Sequence, residues 1–495
     1  MTATDADQPS QSDPAEAPRK EVPADHLSAT SHTLRVGRRT LRYTATAGRV
    51  VLREEQVDDG VFKGHQPKAE MFLTSYVLDG ADPAKRPVTY IFNGGPGSSS
   101  VWLHLGLFGP RRIVMGDAGD LKPPPYELAD NAETLLAQSD LVFIDPVSTG
   151  YSRAVEGGKP GEYHGYARDL DSVAELIRLW TSRNGRWMSP KFLAGESYGT
   201  LRAAALADLL QSNFGLYPNG IMLISSVLNL STLWPHDDND LPSVLFLPTY
   251  AALAHYHGKH GRKSLRTVVA DAELYADRDY PWVLSRGNRL TGAERAEAAA
   301  TIAGLTGLSE DYVLRSDLRI DPHRFFTELL RDEGKSIGRL DGRFSGWLQS
   351  GVAETYDADP SYDAILGPYA AGFNQYIRTE LDYINDLPYE IISGKVSPWS
   401  YQEFDGQLVT VSKRLARAMR ANPNLKVHVA FGYHDGATAY HASEYVLAHL
   451  GIPDELRGNI ETAYYEAGHM MYVHEPSRVQ QSKDLADFIT RAAHG

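Results

Sequence analysis

The chain has 495 residues, a formal net charge of −14 and no cysteine, which excludes disulfides, thiolate nucleophiles and cysteine-ligated metals. The acidic balance argues against nucleic acid or an anionic membrane as the main partner, because both would repel the protein. No apolar run is long enough to span a bilayer, and 42% hydrophobic residues are enough for a sizeable core.

Residues 1–32 are predicted to form a disordered acidic tail. They are rich in Asp, Glu, Pro, Ser, Thr and Ala and contain no apolar core of a secretory signal. Together with the absence of cysteine, this favours a cytoplasmic location, with secretion as the alternative.

Residues 33–230 are predicted to form the first part of an α/β core. Alternation near the start indicates antiparallel strands. The stretches "AEMFLTSYVLD", "PVTYIFNGG", "DLVFIDPVSTG", "PKFLAGES" and "GIMLISSVLNL" are typical of further strands. Apolar residues at spacings of three and four predict a helix over 167–180, and "TLRAAALADLLQS" predicts another.

Regular alternation of strands and helices stops near residue 231 and returns near residue 401. Residues 231–400 contain helical patterns such as "GAERAEAAATIAGL" and are predicted to be an inserted, mainly helical cap. Residues 401–495 resume the core with "LKVHVAFGYHDGAT", "IETAYYEAGH" and a final helix. Strands and helices on both sides of an insertion favour an α/β sheet that carries a cap.

The motif G-E-S-Y-G places Ser197 between a predicted strand and a predicted helix. Glycines two residues before and two after a serine allow the sharp turn that exposes a nucleophile at the carboxyl edge of a sheet. The alternative is a serine that merely caps the helix.

A nucleophilic serine needs a base, and the base needs an orienting acid. In α/β-hydrolases the order along the chain is serine, acid, histidine, and Asp435 and His469 each follow a predicted strand in that order. The competing bases are placed less well, since His434 precedes the acid, His441 falls within a helical pattern and His474 lies beyond the strand end.

The glycine-rich stretch "NGGPGSSS" follows another strand and lacks the pattern of a phosphate loop. It is predicted to supply one oxyanion-hole amide, while Tyr198, the residue after the nucleophile, supplies the other. A tight turn without a ligand is the alternative.

"NGGPGSSS", "DPVSTGYS", "GESYG", the aspartate after "GYH" and "AGHM" together resemble the serine carboxypeptidase family. The resemblance implies an α/β-hydrolase fold with a mixed, mostly parallel central sheet and a helical cap. It implies a Ser197–Asp435–His469 triad and an oxyanion hole formed by the amides of Gly95 and Tyr198.

The resemblance also implies a site for the free C-terminal carboxylate of a peptide, formed by Asn93, Gly94 and Glu196. The chain departs from the family at three places. Leu107 stands where a second glutamate is expected, Ser98 replaces the usual cysteine, and the next motif is reduced to Asp145-Pro146.

The expected function is therefore that of a serine-type carboxypeptidase, acting on peptides with a free C-terminus through an acyl-enzyme. An esterase or acyltransferase with the same triad is the alternative, and a non-catalytic binding protein is a third. No cofactor or metal is expected. Nothing in the sequence indicates a protein partner, although a homodimer is compatible with it.

Overall fold

The computed structural model describes residues 22–352 and 355–494. The strands are β1 (His26–Val36), β2 (Arg39–Asp58), β3 (Val61–Leu78), β4 (Val88–Phe92), β5 (Arg111–Val114), β6 (Glu127–Asp130), β7 (Asp140–Ile144), β8 (Arg153–Ala154), β9 (Lys191–Glu196), β10 (Gly220–Ile224), β11 (Lys335–Ile337), β12 (Ser345–Trp347), β13 (Lys426–Gly432) and β14 (Ile460–Tyr465).

The α-helices are α1 (Val101–Leu103), α2 (Tyr166–Arg183), α3 (Tyr198–Phe214), α4 (Leu241–Tyr256), α5 (Leu265–Arg278), α6 (Tyr280–Arg286), α7 (Gly292–Thr306), α8 (Glu310–Arg315), α9 (Pro322–Glu328), α10 (Pro360–Thr379), α11 (Ser412–Ala421), α12 (Tyr440–Ala448), α13 (Asp454–Arg457) and α14 (Glu475–His494). A π-helical turn, His104–Phe108, continues α1. Among the residues described, no helix combines the length and apolarity needed to cross a membrane.

A ten-stranded mixed sheet forms the centre of the molecule, in the order β1-β2-β3-β7-β4-β9-β10-β13-β14, with β8 beside β3. The pairs from β1 to β7 are antiparallel, and those from β7 to β14 are parallel. The parallel part places the carboxyl ends of β4, β9, β10, β13 and β14 at one edge, where ligand sites of open α/β sheets form. The predicted α/β-hydrolase fold class is confirmed.

Both faces of the parallel strands are buried, which explains why these strands are continuous apolar runs. In β10, Ile221 and Leu223 join one apolar cluster, while Met222 and Ile224 join the cluster on the opposite face. Helix α3, whose residues are buried for most of its length, packs on the first face. Successive residues thus anchor the sheet to two separate helical layers.

The inserted region divides between two cores. Helices α4 to α9 share an apolar cluster of their own, and this part forms a helical cap as predicted. Helix α10 instead packs on the main sheet, where Tyr369, Phe373 and Tyr376 lie in the same cluster as Phe192 of β9. The predicted cap boundary at residue 400 therefore does not follow the packing, because α10 carries an apolar face that the sheet buries.

The predicted disordered tail is also shorter than expected. Residues 26–32, assigned to that tail, lie in β1 and pair with β2 in antiparallel register. Alternation extends to this segment, so the edge of the sheet can take it up. Residues 1–21 of the predicted tail lie outside the described residues.

Candidate active site

Ser197 occupies the turn between β9 and α3 with a backbone conformation of φ 60° and ψ −131°. A positive φ is costly for a residue with a Cβ and is retained where surrounding structure enforces it, often at functional sites. The flanking glycines provide the room, because a Cβ on Gly195 would lie 2.0 Å from the carbonyl oxygen of Gly199. The strand–turn–helix context predicted for Ser197 is present.

Asp435 and His469 meet after the ends of β13 and β14. The Nδ1 atom of His469 lies 2.8 Å from Oδ2 of Asp435, and both side chains are almost fully buried. Asp435 Oδ1 accepts hydrogen bonds from the backbone amides of Ala437 and Thr438, and Oδ2 also accepts from the Thr438 hydroxyl. The acid is thereby fixed in one orientation, with its second oxygen facing the imidazole.

The pKa of His469 reflects this pairing. Burial lowers the pKa, but the charge of Asp435 and the hydrogen bond to it raise the pKa by more, and the net result lies above the ordinary value of 6.5. Because Nδ1 faces a carboxylate, the proton of the neutral ring belongs on Nδ1, and Nε2 is left as the base.

The competing histidines lie elsewhere. His434 is buried, with its ring against Tyr256, and His474 bonds to Ser477. His441 bonds to Glu444 through Nδ1 and to Asp277 through Nε2. None of the three lines the cavity that contains Ser197 and His469.

The glycine loop after β4 lies directly on the nucleophile turn. A Cβ on Gly94 would lie 2.4 Å from the backbone nitrogen of Tyr198, and Gly95 has φ +99°, a conformation that favours glycine. The amides of Gly95 and Tyr198, predicted as the oxyanion hole, therefore belong to two segments in direct contact. Both residues line the cavity.

A buried ion pair that carries no motif signal holds this loop from below. Arg202 of α3 contacts Asp169 of α2 at 2.8 Å and donates from Nη1 to the carbonyl oxygen of Asn93 at 2.6 Å. Both charged side chains are nearly inaccessible. Charged residues within the otherwise apolar pattern of two helices were the available signal, since such residues are rarely buried without a partner.

Glu196 is 3% exposed and faces two donors. The Asn93 side-chain amide donates to Oε1 at 2.8 Å, and the Tyr472 hydroxyl donates to Oε2 at 2.7 Å. Burial raises the pKa of Glu196 to about 7, although His469 and the two hydrogen bonds oppose the rise. Tyr472, three residues after His469, was not predicted as a site residue, because a tyrosine in that position has no motif of its own.

Leu107 lies in the π-helical turn and is completely buried. It belongs to the apolar cluster on the α10 face of the sheet. The neighbouring Gly106 lies against the ring of Tyr472, where a Cβ would approach within 2.4 Å. The structure thus places the Tyr472 hydroxyl, and no second carboxyl from position 107, on Glu196.

A cavity of about 490 Å³ joins these groups. Ser197, His469, Glu196 and the glycine loop form its floor, and cap residues such as Trp234 and Arg339 contribute to its walls. Its volume is that of a site for a small molecule or the end of a peptide.

One group outside the cavity has ligand atoms close enough for a metal ion, within the part of the chain that the structure describes. Atoms of Glu273, His441 and Glu444 lie within 4.8 Å of one another. Both ring nitrogens of His441 already face carboxylates, and the Tyr440 hydroxyl donates to Glu273. Hydrogen bonds between these groups account for the cluster.

Residues 61–215 match the family model described as serine carboxypeptidase. This chain is a relative of the serine carboxypeptidases. The matched segment contains the glycine loop, Glu196 and Ser197, whereas Asp435 and His469 lie beyond it. The predicted resemblance and the predicted enzyme class, a serine-type carboxypeptidase and hydrolase, are confirmed.

Solved structures share the fold of this carboxypeptidase relative. A prohormone-processing carboxypeptidase, Kex1 of Saccharomyces cerevisiae, aligns over 91% of both chains with 15% identity and a TM-score of 0.53. A proline iminopeptidase of Mycobacterium smegmatis aligns over 94% of this chain and 99% of its own, with 12% identity and a TM-score of 0.36. A comparison with curated proteins found no match.

Proposed function

We propose that this carboxypeptidase relative releases C-terminal residues from peptides through an acyl-enzyme formed on Ser197. The observation that supports it most is the Asp435–His469 hydrogen bond beside a cavity that also contains Ser197, held at a positive φ. An acid, a base and a serine at three strand ends are the groups that acyl transfer requires.

In the first step, Ser197 Oγ bonds to the carbonyl carbon of the last peptide bond while His469 Nε2 takes the hydroxyl proton. Negative charge develops on the carbonyl oxygen, and the amides of Gly95 and Tyr198 would stabilise it by about 3–4 kcal/mol each. Asp435 keeps the imidazole in the tautomer that leaves Nε2 free and stabilises the imidazolium that forms.

In the second step the carbon–nitrogen bond breaks and His469 gives its proton to the leaving amine, so the C-terminal residue departs. An ester of Ser197 remains. A water molecule then attacks that ester while His469 takes a proton from it, and the same proton returns to Ser197 Oγ when the shortened peptide leaves.

Asn93, Gly94 and Glu196 are proposed to hold the substrate's terminal carboxylate. A side-chain amide has two N–H donors, and Asn93 uses one on Glu196, which leaves one for substrate. Because burial raises the pKa of Glu196 to about 7, its protonated form, which can donate to a carboxylate, predominates below that pH.

The test is turnover of an N-blocked dipeptide together with labelling by a fluorophosphonate. Wild-type protein should release the C-terminal amino acid and be labelled, and Ser197→Ala should lose both. Ser285→Ala, which changes an exposed serine of α6, should keep both. Unchanged turnover in Ser197→Ala would refute the proposal.

An esterase or acyltransferase is the second candidate, and the position of Leu107 favours it. With no second carboxyl from that position on Glu196, a free C-terminus gains less from binding. A blocked dipeptide, its C-terminal amide and an aryl ester should be compared from pH 4 to 8. Equal kcat/KM for the free acid and the amide would favour this candidate over the first.

A further inference from the structure

Arg339 is distinctive among the charged residues of the cavity, which are Glu196, Arg339, Asp359 and His469. Glu196 is bonded to Asn93 and Tyr472, and His469 is bonded to Asp435. Within the described residues, the Arg339 guanidinium forms no ion pair and no hydrogen bond, although its side chain is partly buried. A guanidinium carries five donors, and here they have no protein acceptor.

The neighbouring acid does not engage this guanidinium. Asp359 caps α10, and its oxygens accept from the backbone amides of Arg339, Leu340, Ser361 and Tyr362 and from the Ser361 hydroxyl. These bonds fix the backbone of Arg339 but use the carboxylate's own acceptor sites. The cap arginines Arg319 and Arg331, by contrast, each pair with a carboxylate.

The segment that carries Arg339 is bound to the segment that carries the base. The backbone amide of His469 donates to the carbonyl oxygen of Leu340 at 2.6 Å, and the amide of Gly468 donates to Asp341 at 3.2 Å. The positive charge of Arg339 is close enough to lower the pKa of His469. The guanidinium is therefore held on the wall beside the imidazole, on a rigid backbone.

We propose that Arg339 binds a carboxylate of the peptide substrate and thereby determines specificity. The inference rests on the proposed function and adds a cationic partner to a site whose other proposed carboxylate ligands, Asn93, Gly94 and Glu196, are neutral donors below the pKa of Glu196. Guanidinium and carboxylate form charge-assisted, often bidentate hydrogen bonds. The carboxylate comes either from the C-terminus or from an acidic side chain of the last residue.

The two sources are separated by four N-blocked dipeptides that end in Leu, Leu-amide, Glu and Gln. If Arg339 binds the terminal carboxylate, Arg339→Gln should lower kcat/KM about tenfold for the three free acids and leave the Leu-amide unchanged. If it binds the side chain, only the Glu substrate should lose about tenfold relative to Gln. Arg339→Lys, which keeps the charge without the fork, should lose less in either case.

Arg315→Gln is the matched control, since Arg315 is an exposed cap arginine outside the cavity. Fluorophosphonate labelling of Ser197 in each variant reports an intact nucleophile. An equal change on all four substrates, or no change, would overturn the role of Arg339 while leaving the proposed function standing. A wild-type protein that is labelled but releases no amino acid from any of them would overturn both.

Discussion

Replacing Glu196 by glutamine should stabilise the protein, and by more at alkaline than at acidic pH. The carboxyl group is 3% exposed, and burial raises its pKa from the ordinary 4.5 to about 7. The folded protein therefore binds this proton more tightly than the unfolded chain does. Stability from this group is fully present below about pH 4.5 and is lost as pH rises towards and through 7.

The size of the effect follows from the same two values. A pKa rise from 4.5 to about 7 corresponds to about 3 kcal/mol of disfavoured charge above neutral pH. Glutamine has nearly the same shape, carries no charge and can still accept from Asn93 or Tyr472 through its carbonyl oxygen. Glu196→Gln should therefore gain up to about 3 kcal/mol at pH 8 and almost nothing at pH 4.5.

Urea denaturation of wild type and variant at pH 4.5, 6 and 8 measures this difference directly. Glu297→Gln, at an exposed position of α7, is the control and should show no comparable dependence on pH. A difference between Glu196→Gln and wild type that stays constant from pH 4.5 to 8 would refute the buried, protonated carboxyl. The same variant should also lose the pH dependence of KM for free-acid substrates near pH 7.

Three other changes probe the site. Tyr472→Phe removes a hydrogen bond that favours the ionised form of Glu196, so the pH at which KM for free acids rises should move up by about one to two units; a downward move would contradict this contact. Asp435→Asn should lower kcat by about 10⁴ through the wrong imidazole tautomer, with fluorophosphonate labelling slowed in parallel; kcat within tenfold of wild type would remove Asp435 from the triad. Gly195→Ala places a Cβ 2.0 Å from the carbonyl oxygen of Gly199, so urea denaturation should show a loss of about 3 kcal/mol or more, whereas unchanged stability would contradict the tight turn.

Much of the fold was predictable because its signals are local. The strand β9, the turn at Ser197 and the helix α3 follow one another in the chain, and glycine spacing with apolar periodicity is sufficient to identify them. The order of Ser197, Asp435 and His469 was likewise legible, since the parallel strands they follow must end at one edge. The division of the inserted region was not, because α10 and the cap helices have similar patterns and differ only in what covers their apolar faces.

By itself the sequence determined the reaction chemistry that is proposed, since nucleophile, base and acid are specified by residue type, order and position after strands. Only the tertiary structure decided what surrounds them. Tyr472 reaches Glu196 across 276 positions of the chain, and Leu107 turns out to lie in the core. Arg339, in a loop of the cap, comes to lie beside the imidazole through the bond between Leu340 and His469. Such contacts depend on how separate elements pack, and no local pattern of residues encodes them.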